Sequence, residues 1–525
     1  MADMTMDGAA LAPQDEAMPV RRIVAFFFMV VGMFMAILDI QVVSASLAEI
    51  QAGLSAGSDE IGWVQTAYLI AEVIMIPLSG TLARILSTRV LFTIAAGGFT
   101  LASALCATAT NIDQMIFYRA LQGFIGGGMI PSVFAAAFTI FPPSRRAIVS
   151  PIIGLTATLA PTIGPTVGGW LTASLSWHWL FLINVGPGVI VALVAWMLID
   201  FDKPELSLMK KFDWWGLLGL AAFLGSLEYV LEEGPSNDWF NDGAVLTLAI
   251  VMVLGAVLFF WRALRAAFPI VDLRAFGNVN FSFGSLFSFV LGVGLYGLTY
   301  LYPLYLGRIR GYDSMMIGET LFLSGLAQFV AAPIAGALSN RVDLRALLFV
   351  GFIGFAFGTY LMLGVTDDWS FSELVWPQIL RGASMMFCMV PISNLALGTL
   401  SKDRIKGASG LFNLTRNLGG AVGLAVINTV LTNRTTLHQE RLSEHVNWDN
   451  PTALSQLGSM TVNNTLNGLD GATAAIKQLG QMVLKQAYVL SFIDVFMLLT
   501  GLFAVLAFGV VLMKKPEAVA EGGGH

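Results

Sequence analysis

Apolar runs of about twenty residues recur along nearly the whole chain, and no other feature restricts its fold as much. A run of that length crosses a hydrocarbon core ~30 Å thick as a helix, because a helix satisfies its own backbone polar groups there. About fourteen runs can be counted on that rule. They centre near Met35, Ala71, Phe99, Gly126, Ala160, Val189, Ala222, Val253, Leu291, Leu326, Phe355, Met385, Gly420 and Leu499. Hydrophobic residues make up 56% of the chain and charged residues 12%, which excludes a soluble domain and predicts an all-α polytopic membrane protein. Cys106 and Cys388 both fall inside apolar runs, so neither a disulfide framework nor a metal site is expected.

The charges between runs set the expected orientation. Arg21 and Arg22 precede the first run; taking that side as cytoplasmic also makes Arg84, Arg89, Arg145, Arg146, Lys203, Lys210 and Lys211 cytoplasmic. Arg262, Arg265, Arg274, Arg341, Arg345, Lys402, Arg404, Lys406, Lys514 and Lys515 continue the alternation. The other connections are poor in cations and often acidic, as in the stretch from Glu232 to Asp238. Arg308, Arg310 and four cations between Thr432 and Lys485 are exceptions. Both termini are expected in the cytoplasm, with an even number of spans. The first run passes signal-peptide length without a small-residue cleavage site and reads as a retained span. The tail Glu521 to His525 reads as disordered.

An internal repeat sets the expected organisation. Pro77, Gly80 and Leu82 close the second run as Pro333, Gly336 and Leu338 close the tenth; Gln122-Gly123 leads to Pro131 as Arg381-Gly382 leads to Pro391. Both pairs are shifted by the same number of runs, which fits two six-helix bundles with an inserted helix pair between them, the build of parallel-repeat transporters. The expected divisions are a tail over 1–22, a first bundle over 23–200, a linker and inserted pair over 201–275, a second bundle over 276–513 and a tail over 514–525. Within the second bundle, 432–486 is a hydrophilic excursion facing the periplasm, able to hold short helices and partner contacts.

The fifth run carries Ala160-Pro161-x-x-Gly164-Pro165-x-x-Gly168-Gly169. Proline would break such a helix in water, whereas in a membrane neighbouring helices re-satisfy the freed groups and small residues admit a close backbone. A kinked packing helix and a mobile one both fit.

Ionisable residues inside a bilayer are functional candidates. Asp39 lies about 17 residues into the first run, roughly 25 Å from its start, and Arg119 about six residues into the fourth, roughly 9 Å from the opposite face. In a core ~30 Å thick the two depths are close enough to pair. Such a pair can be a static tie or a proton switch, since burial and a neighbouring cation act on a carboxylic acid's proton affinity in opposite senses. Glu72 at mid-depth is a second proton carrier, and Glu228 a weaker one if the inserted pair faces lipid. Glu319 and Asp494 read as interfacial. Arg381 and Arg416 could counter a carboxylate, meet an anionic substrate or bond a carbonyl. Phe287, Tyr296, Tyr300, Met385, Met386 and Phe387 could line a greasy, adaptable cavity, although such residues usually pack. The chain has no Walker A sequence, no paired cysteine motif and no histidine cluster, so an ion gradient is the expected energy source and no cofactor beyond protons is called for. Nothing asks for nucleic acid as a partner.

The motif from Ala160 to Gly169 resembles the antiporter motif of major facilitator drug:proton exporters, in the form of their fourteen-span branch. Leu38-Asp39-Ile-Gln-Val-Val43, Arg119-Ala-Leu-Gln-Gly123, Trp177-His-Trp-Leu-Phe181-Leu-Ile-Asn184, Gly225-Ser-Leu-Glu228, Pro269-Ile-Val-Asp-Leu-Arg274, Thr432-Asn-Arg-Thr-Thr-Leu-His438 and Gln486 to Asp494 extend the likeness over almost the whole chain. Together they resemble EmrB-type multidrug exporters. The resemblance implies the major facilitator fold, a bacterial inner-membrane location, alternating access and proton-coupled export of hydrophobic drugs or toxic compounds. It also implies a periplasmic adaptor and an outer-membrane channel as partners. It makes Asp39 and Arg119 the coupling residues, and the fifth span a pliable seam between the bundles. Arg84 stands where the superfamily often has an acid, Ile125 where glycine is common, and His178 where a basic residue is common. A metabolite symporter of the same fold and a non-transporting assembly or receptor protein remain alternatives.

Overall fold

The computed structural model describes residues 19–57, 60–142, 145–312, 314–447, 449–466 and 470–515. Most of the two expected tails, 1–18 and 516–525, therefore lies outside the described residues. Those residues form helices in this order: α1 (Val20–Ser44), α2 (Leu47–Leu54), α3 (Trp63–Leu86), α4 (Thr88–Cys106), α5 (Ile112–Gly126), α6 (Met129–Ile140), α7 (Arg146–Ser174), α8 (Trp179–Leu182) and α9 (Val185–Leu198). Next come α10 (Trp214–Glu233), α11 (Gly243–Arg265), α12 (Val279–Arg308), α13 (Ser314–Ser339), α14 (Leu344–Leu361), α15 (Phe371–Leu397), α16 (Lys402–Glu444), α17 (Pro451–Leu466) and α18 (Gly471–Gly509). They supply 14 spans long and apolar enough to cross a membrane, with α5 and α6 forming one span and α8 and α9 another.

Both ends of the described chain lie at one end of the molecule, the near end. There Arg22 bonds Asp200 at 3.4 Å, and the Lys514 amide donates to the Asn280 side chain at 2.9 Å. The far end carries α17 and the connections that end near Asp367. Arg310 falls there, and its guanidinium donates to the Asp367 carbonyl at 2.9 Å and pairs with Asp368 at 3.9 Å. The Asp367 carbonyl and the Asp368 carboxylate thus hold one of the cations that break the charge alternation.

The repeat appears as matched close approaches. A Cβ at Gly123 on α5 would strike the Tyr68 carbonyl of α3, and one at Gly382 on α15 would strike the Ser324 carbonyl of α13. Tyr68 precedes Pro77 by as many residues as Ser324 precedes Pro333. Backbone contact of this kind is how helices associate where lipid offers no hydrophobic drive. The inserted pair lies beside the seam: α10 packs on α3, α16 and α11, while α11 turns Leu254, Val257 and Trp261 outward.

At the near end the bundles are sealed. A Cβ on Gly80 would lie 2.8 Å from Gly407 Cα, the Ser409 hydroxyl donates to the Pro131 carbonyl at 3.1 Å, and the Ser150 hydroxyl to Asn394 at 2.8 Å. Lys406 pairs with Asp202 alongside. Towards the far end a cavity of about 440 Å³ separates α1 and α3 from α12.

The stretch 432–486 is built from the ends of two long helices and one short one. α16 runs unbroken for 43 residues and α18 for 39, both projecting beyond their apolar parts, and only α17 is a short element of its own. Thr, Asn and Gln lower hydropathy, which marks where lipid stops, but tolerate helical backbone, so the helices continue.

Gly123→Ala and Gly382→Ala are each expected to cost about 1–3 kcal/mol through overpacking against backbone. Gly501→Ala, which meets nothing within 4 Å, is expected to be neutral or slightly stabilising. Denaturation of the detergent-solubilised protein measures all three.

Candidate functional site: a buried ion pair beside a far-end cavity

Asp39, late in α1, and Arg119, in the second turn of α5, meet at 2.6 Å with neither side chain exposed. The Asp39 Oδ2 accepts from Arg119 Nη1, and its Oδ1 accepts from Asn184 Nδ2 at 2.7 Å and Gln122 Nε2 at 3.1 Å. Arg119 also donates through Nε to the Val64 carbonyl at 3.2 Å and through Nη1 to Gln122 Oε1 at 2.7 Å, while its guanidinium lies 4.2 Å from the Tyr68 ring centroid. Its Nη2 is buried and has no hydrogen-bond partner among the described residues. The cluster therefore ties α1, α3, α5 and the start of α9 around one carboxylate.

Asn184 and Gln122 complete this cluster; the sequence marked them only as members of the repeat and of the family-like stretches, not as partners of Asp39, although each stands as a polar residue in an apolar run. Ile40 and Gln41, which follow Asp39, line the far-end cavity. Its wall also includes Gln65, Pro165, Glu232, Tyr296, Thr299 and Tyr300. Below it lies a smaller space of about 60 Å³ lined by Glu72, Glu228, Glu232, Tyr296 and Asn417. Glu72 is 2% exposed, and its Oε1 has no hydrogen-bond partner among the described residues. Glu228 is buried rather than turned to lipid: α11 takes the lipid side, and α10 points this carboxylate towards α3 and α16. Glu232, which its acidic sequence context marked as part of an outer connection, is in the last turn of α10 and borders both spaces.

The expected cavity residues divide. Tyr296 and Tyr300 lie one turn apart on α12 and line the cavity. Phe287 does not; it packs 5.5 Å from Phe352 inside the second bundle. At about 100° per residue it falls on the face of α12 opposite Tyr296. Met385 is buried in α15, and the backbone of Phe387 lies beside Gly351 of α14, so neither borders this cavity. Arg416 sits in α16, its Nη2 donating to Asn413 at 2.8 Å and its guanidinium 5.4 Å from the Phe134 ring.

The fifth-span motif also divides by face. α7 stays helical through Pro161 and Pro165. A Cβ at Gly164 would strike the Gln41 side chain and one at Gly168 the Val42 carbonyl, so these glycines serve α1 within the same bundle. Gly169 is half-buried, and its carbonyl accepts from the Thr172 hydroxyl at 3.2 Å. The seam to the second bundle uses another face, where Thr162 and Thr166 meet α13 and the close approach comes from Gly318 and Gly325 of that helix. Gln328 of α13 donates to the Thr162 hydroxyl at 3.3 Å across it.

The family profile of the Major Facilitator Superfamily matches residues 29–424. The chain belongs to the Major Facilitator Superfamily. It is 42% identical over 492 residues to the colistin resistance protein EmrB of Acinetobacter baumannii, covering 93% of this chain and 96% of that one. It is 30% identical over 494 residues to the multidrug export protein EmrB of Escherichia coli strain K12, covering 94% and 95%. It is also 30% identical over 496 residues to the fatty acid resistance protein FarB of Neisseria gonorrhoeae, covering 94% and 96%. Among solved structures, the human organic anion transporter MFSD10 superposes with a TM-score of 0.58 at 16% identity, covering 92% of this chain and 99% of that one. A bacterial homologue of the human lysosomal transporter Spinster does so with a TM-score of 0.53 at 13% identity, covering 95% and 99%. These two likenesses show the fold alone. The protein is thus a multi-pass membrane transporter of EmrB type and not an enzyme.

Asp39→Asn leaves Arg119 without its carboxylate and is expected to cost about 3 kcal/mol, the low end for a broken buried pair because the Val64 carbonyl and Gln122 still accept. Asp39→Asn combined with Arg119→Gln should recover most of that loss. A double-mutant denaturation cycle measures the coupling.

Proposed function

We propose that this chain exports hydrophobic drugs or toxic compounds in exchange for protons by alternating access, with its near end in the cytoplasm of a bacterial inner membrane. The observation that carries this reading is the position of Asp39: a carboxylate sealed from solvent, held by Arg119, Asn184 and Gln122, one residue from the wall of a cavity between the bundles. A proton on Asp39 cancels the charge that holds Arg119 and loosens the tie of α1 to α5. Arg119 keeps the Val64 carbonyl, Gln122 and the Tyr68 ring, so the cation survives the protonated state. With that tie loosened, α1 can shift along the Gly164 and Gly168 face of α7.

Export as the direction and drugs as the cargo are carried over from the relatives whose names state them. The cavity suits such cargo, since Tyr296, Tyr300 and Leu304 supply apolar surface and Gln41 and Gln65 a few polar contacts. A proton falling through about 100 mV contributes roughly 2.3 kcal/mol, enough for tens-fold accumulation. Glu232, Glu228 and Glu72 line a path inward from the cavity, and we assign them to proton transfer alongside Asp39. We further propose that the far-end projection of α16, α17 and α18 contacts a periplasmic adaptor that leads to an outer-membrane channel. Its exposed Val462, Ile476 and Met482 provide an apolar surface for that contact.

In proteoliposomes, an apolar fluorescent drug is expected to trigger proton movement through the unmodified protein, and Asp39→Asn to reduce that movement to background. Raising the pH on the far side removes protons from the loading step. It should slow export by the unmodified protein and leave the residual drug flux of Asp39→Asn unchanged. Equal, pH-independent drug flux in both proteins would exclude Asp39 as the coupling site.

A further inference from the structure

The small space below the far-end cavity has an acidic lining drawn from two places. Glu228 and Glu232 stand one turn apart on α10, so both reach it from the inserted pair, and Glu72 reaches it from α3. Tyr296 of α12 and Asn417 of α16 supply the side that belongs to the second bundle. Ile40, Leu69, Glu232, Tyr296 and Leu424 line this space and the larger cavity alike, so the two adjoin.

Nothing in the lining balances these acids. No lysine, arginine or histidine lines either space. Arg416 turns its Nη2 to Asn413 and its guanidinium to the Phe134 ring, and it too lines neither. Among the described residues none of the three carboxylates makes a hydrogen bond or an ion pair, and Glu72 keeps its Oε1 buried without a partner. Gln65 Oε1, buried on the wall of the larger cavity, is a second unused acceptor.

Unused acceptors beside unpaired carboxylates call for a ligand that donates hydrogen bonds and carries positive charge. Acids that only hand protons to one another could close to hydrogen-bond contact, but no two of these three do, and about 60 Å³ of open space lies among them. A bare metal ion does not suit them either: among the described residues no three acidic, histidine or cysteine side chains converge enough to hold one. A primary ammonium does suit them. Its three N–H donors match the Glu72, Glu228 and Asn417 oxygens, and the Tyr296 ring offers its face to the charge. The apolar body of such a ligand would extend past Tyr296 into the cavity of about 440 Å³. A trimethylated ammonium has no N–H to donate and crowds the smaller space.

We propose that Glu72, Glu228 and Glu232 form a subsite for the primary ammonium of an amphiphilic amine whose apolar body occupies the far-end cavity. The proposal rests on the reading of that cavity as the substrate site, but not on the direction of transport. Because the same acids are assigned to proton transfer, amine and protons compete for them. The inserted pair then contributes substrate contacts of its own through α10.

The test is equilibrium binding to the full chain in lipid nanodiscs of 2-naphthylmethylamine, its uncharged counterpart 2-naphthylmethanol and its N-trimethylated form. Binding is followed by probe fluorescence against empty nanodiscs at mildly alkaline pH, where carboxylates and amine are both charged. The unmodified protein is expected to bind the amine about ten-fold more tightly than the alcohol, the scale of one charge-assisted contact, and more tightly than the trimethylated form. Glu72→Gln and Glu228→Gln, neither of which borders the larger cavity, should each erase the preference over the alcohol while alcohol binding persists. Glu233→Gln removes a neighbouring carboxylate that lines neither space and should keep the preference. Should Glu72→Gln fail to fold, Glu228→Gln decides. A preference that survives in either of these two, an equal loss in Glu233→Gln, or a trimethylated form that binds as tightly as the amine would overturn the subsite and leave the acids as a proton path. Alcohol binding with no preference in the unmodified protein overturns the subsite alone; binding of none of the probes overturns the cavity assignment with it.

Discussion

A guanidinium with no exposed surface in the middle of a membrane protein admits few solutions, and much of the first bundle is arranged around the one adopted by Arg119. Asp39 supplies the countercharge, Asn184 and Gln122 use its remaining lone pairs, and the Val64 carbonyl takes the third direction. Because these partners come from different helices, the cost of stranding the charge holds those helices in one relation. The loss expected on removing the carboxylate is also similar in size to the energy of one proton crossing about 100 mV, so the membrane potential has the right scale to operate such a tie.

The second bundle is held differently. Its backbone contacts repeat those of the first, but its centre is aromatic: Phe287 packs on Phe352, and Phe503 stacks on Phe355 with centroids 4.9 Å apart. Its buried cations, Arg381 and Arg416, bond neutral partners, whereas the buried acids Glu72 and Glu228, without an ion pair among the described residues, belong to α3 and α10. Charge is therefore unevenly divided across the cavity, acids towards the first bundle and inserted pair, cations towards the second.

The spans were legible because length and hydropathy alone decide what crosses a bilayer, and the meeting of Asp39 with Arg119 could be read because depth follows from helical rise. Facing was much less legible. Phe287 and Tyr296 share one apolar helix and look alike in sequence, yet half a turn of phase puts one in the core and the other on the cavity. Gly164 and Gly168 could be assigned to a close approach but not to α1, since small residues do not name their neighbour. Glu232 looked like part of an acidic loop because composition does not tell the last turn of a helix from the connection after it. The continuity of α16 and α18 into the far-end projection was not legible for a similar reason: hydropathy marks the membrane boundary, and the helices run through it.

That continuity makes α16 a lever. Glu444 stands 28 residues beyond Arg416, roughly 42 Å along a straight helix. A rocking of the second bundle by about ten degrees around the level of Arg416 would sweep the tip through roughly 7 Å, more than one helical turn. Small rotations inside the membrane thus become large displacements well outside it. Any structure seated on α17 would be moved mechanically with each cycle, without a separate signal to synchronise the two.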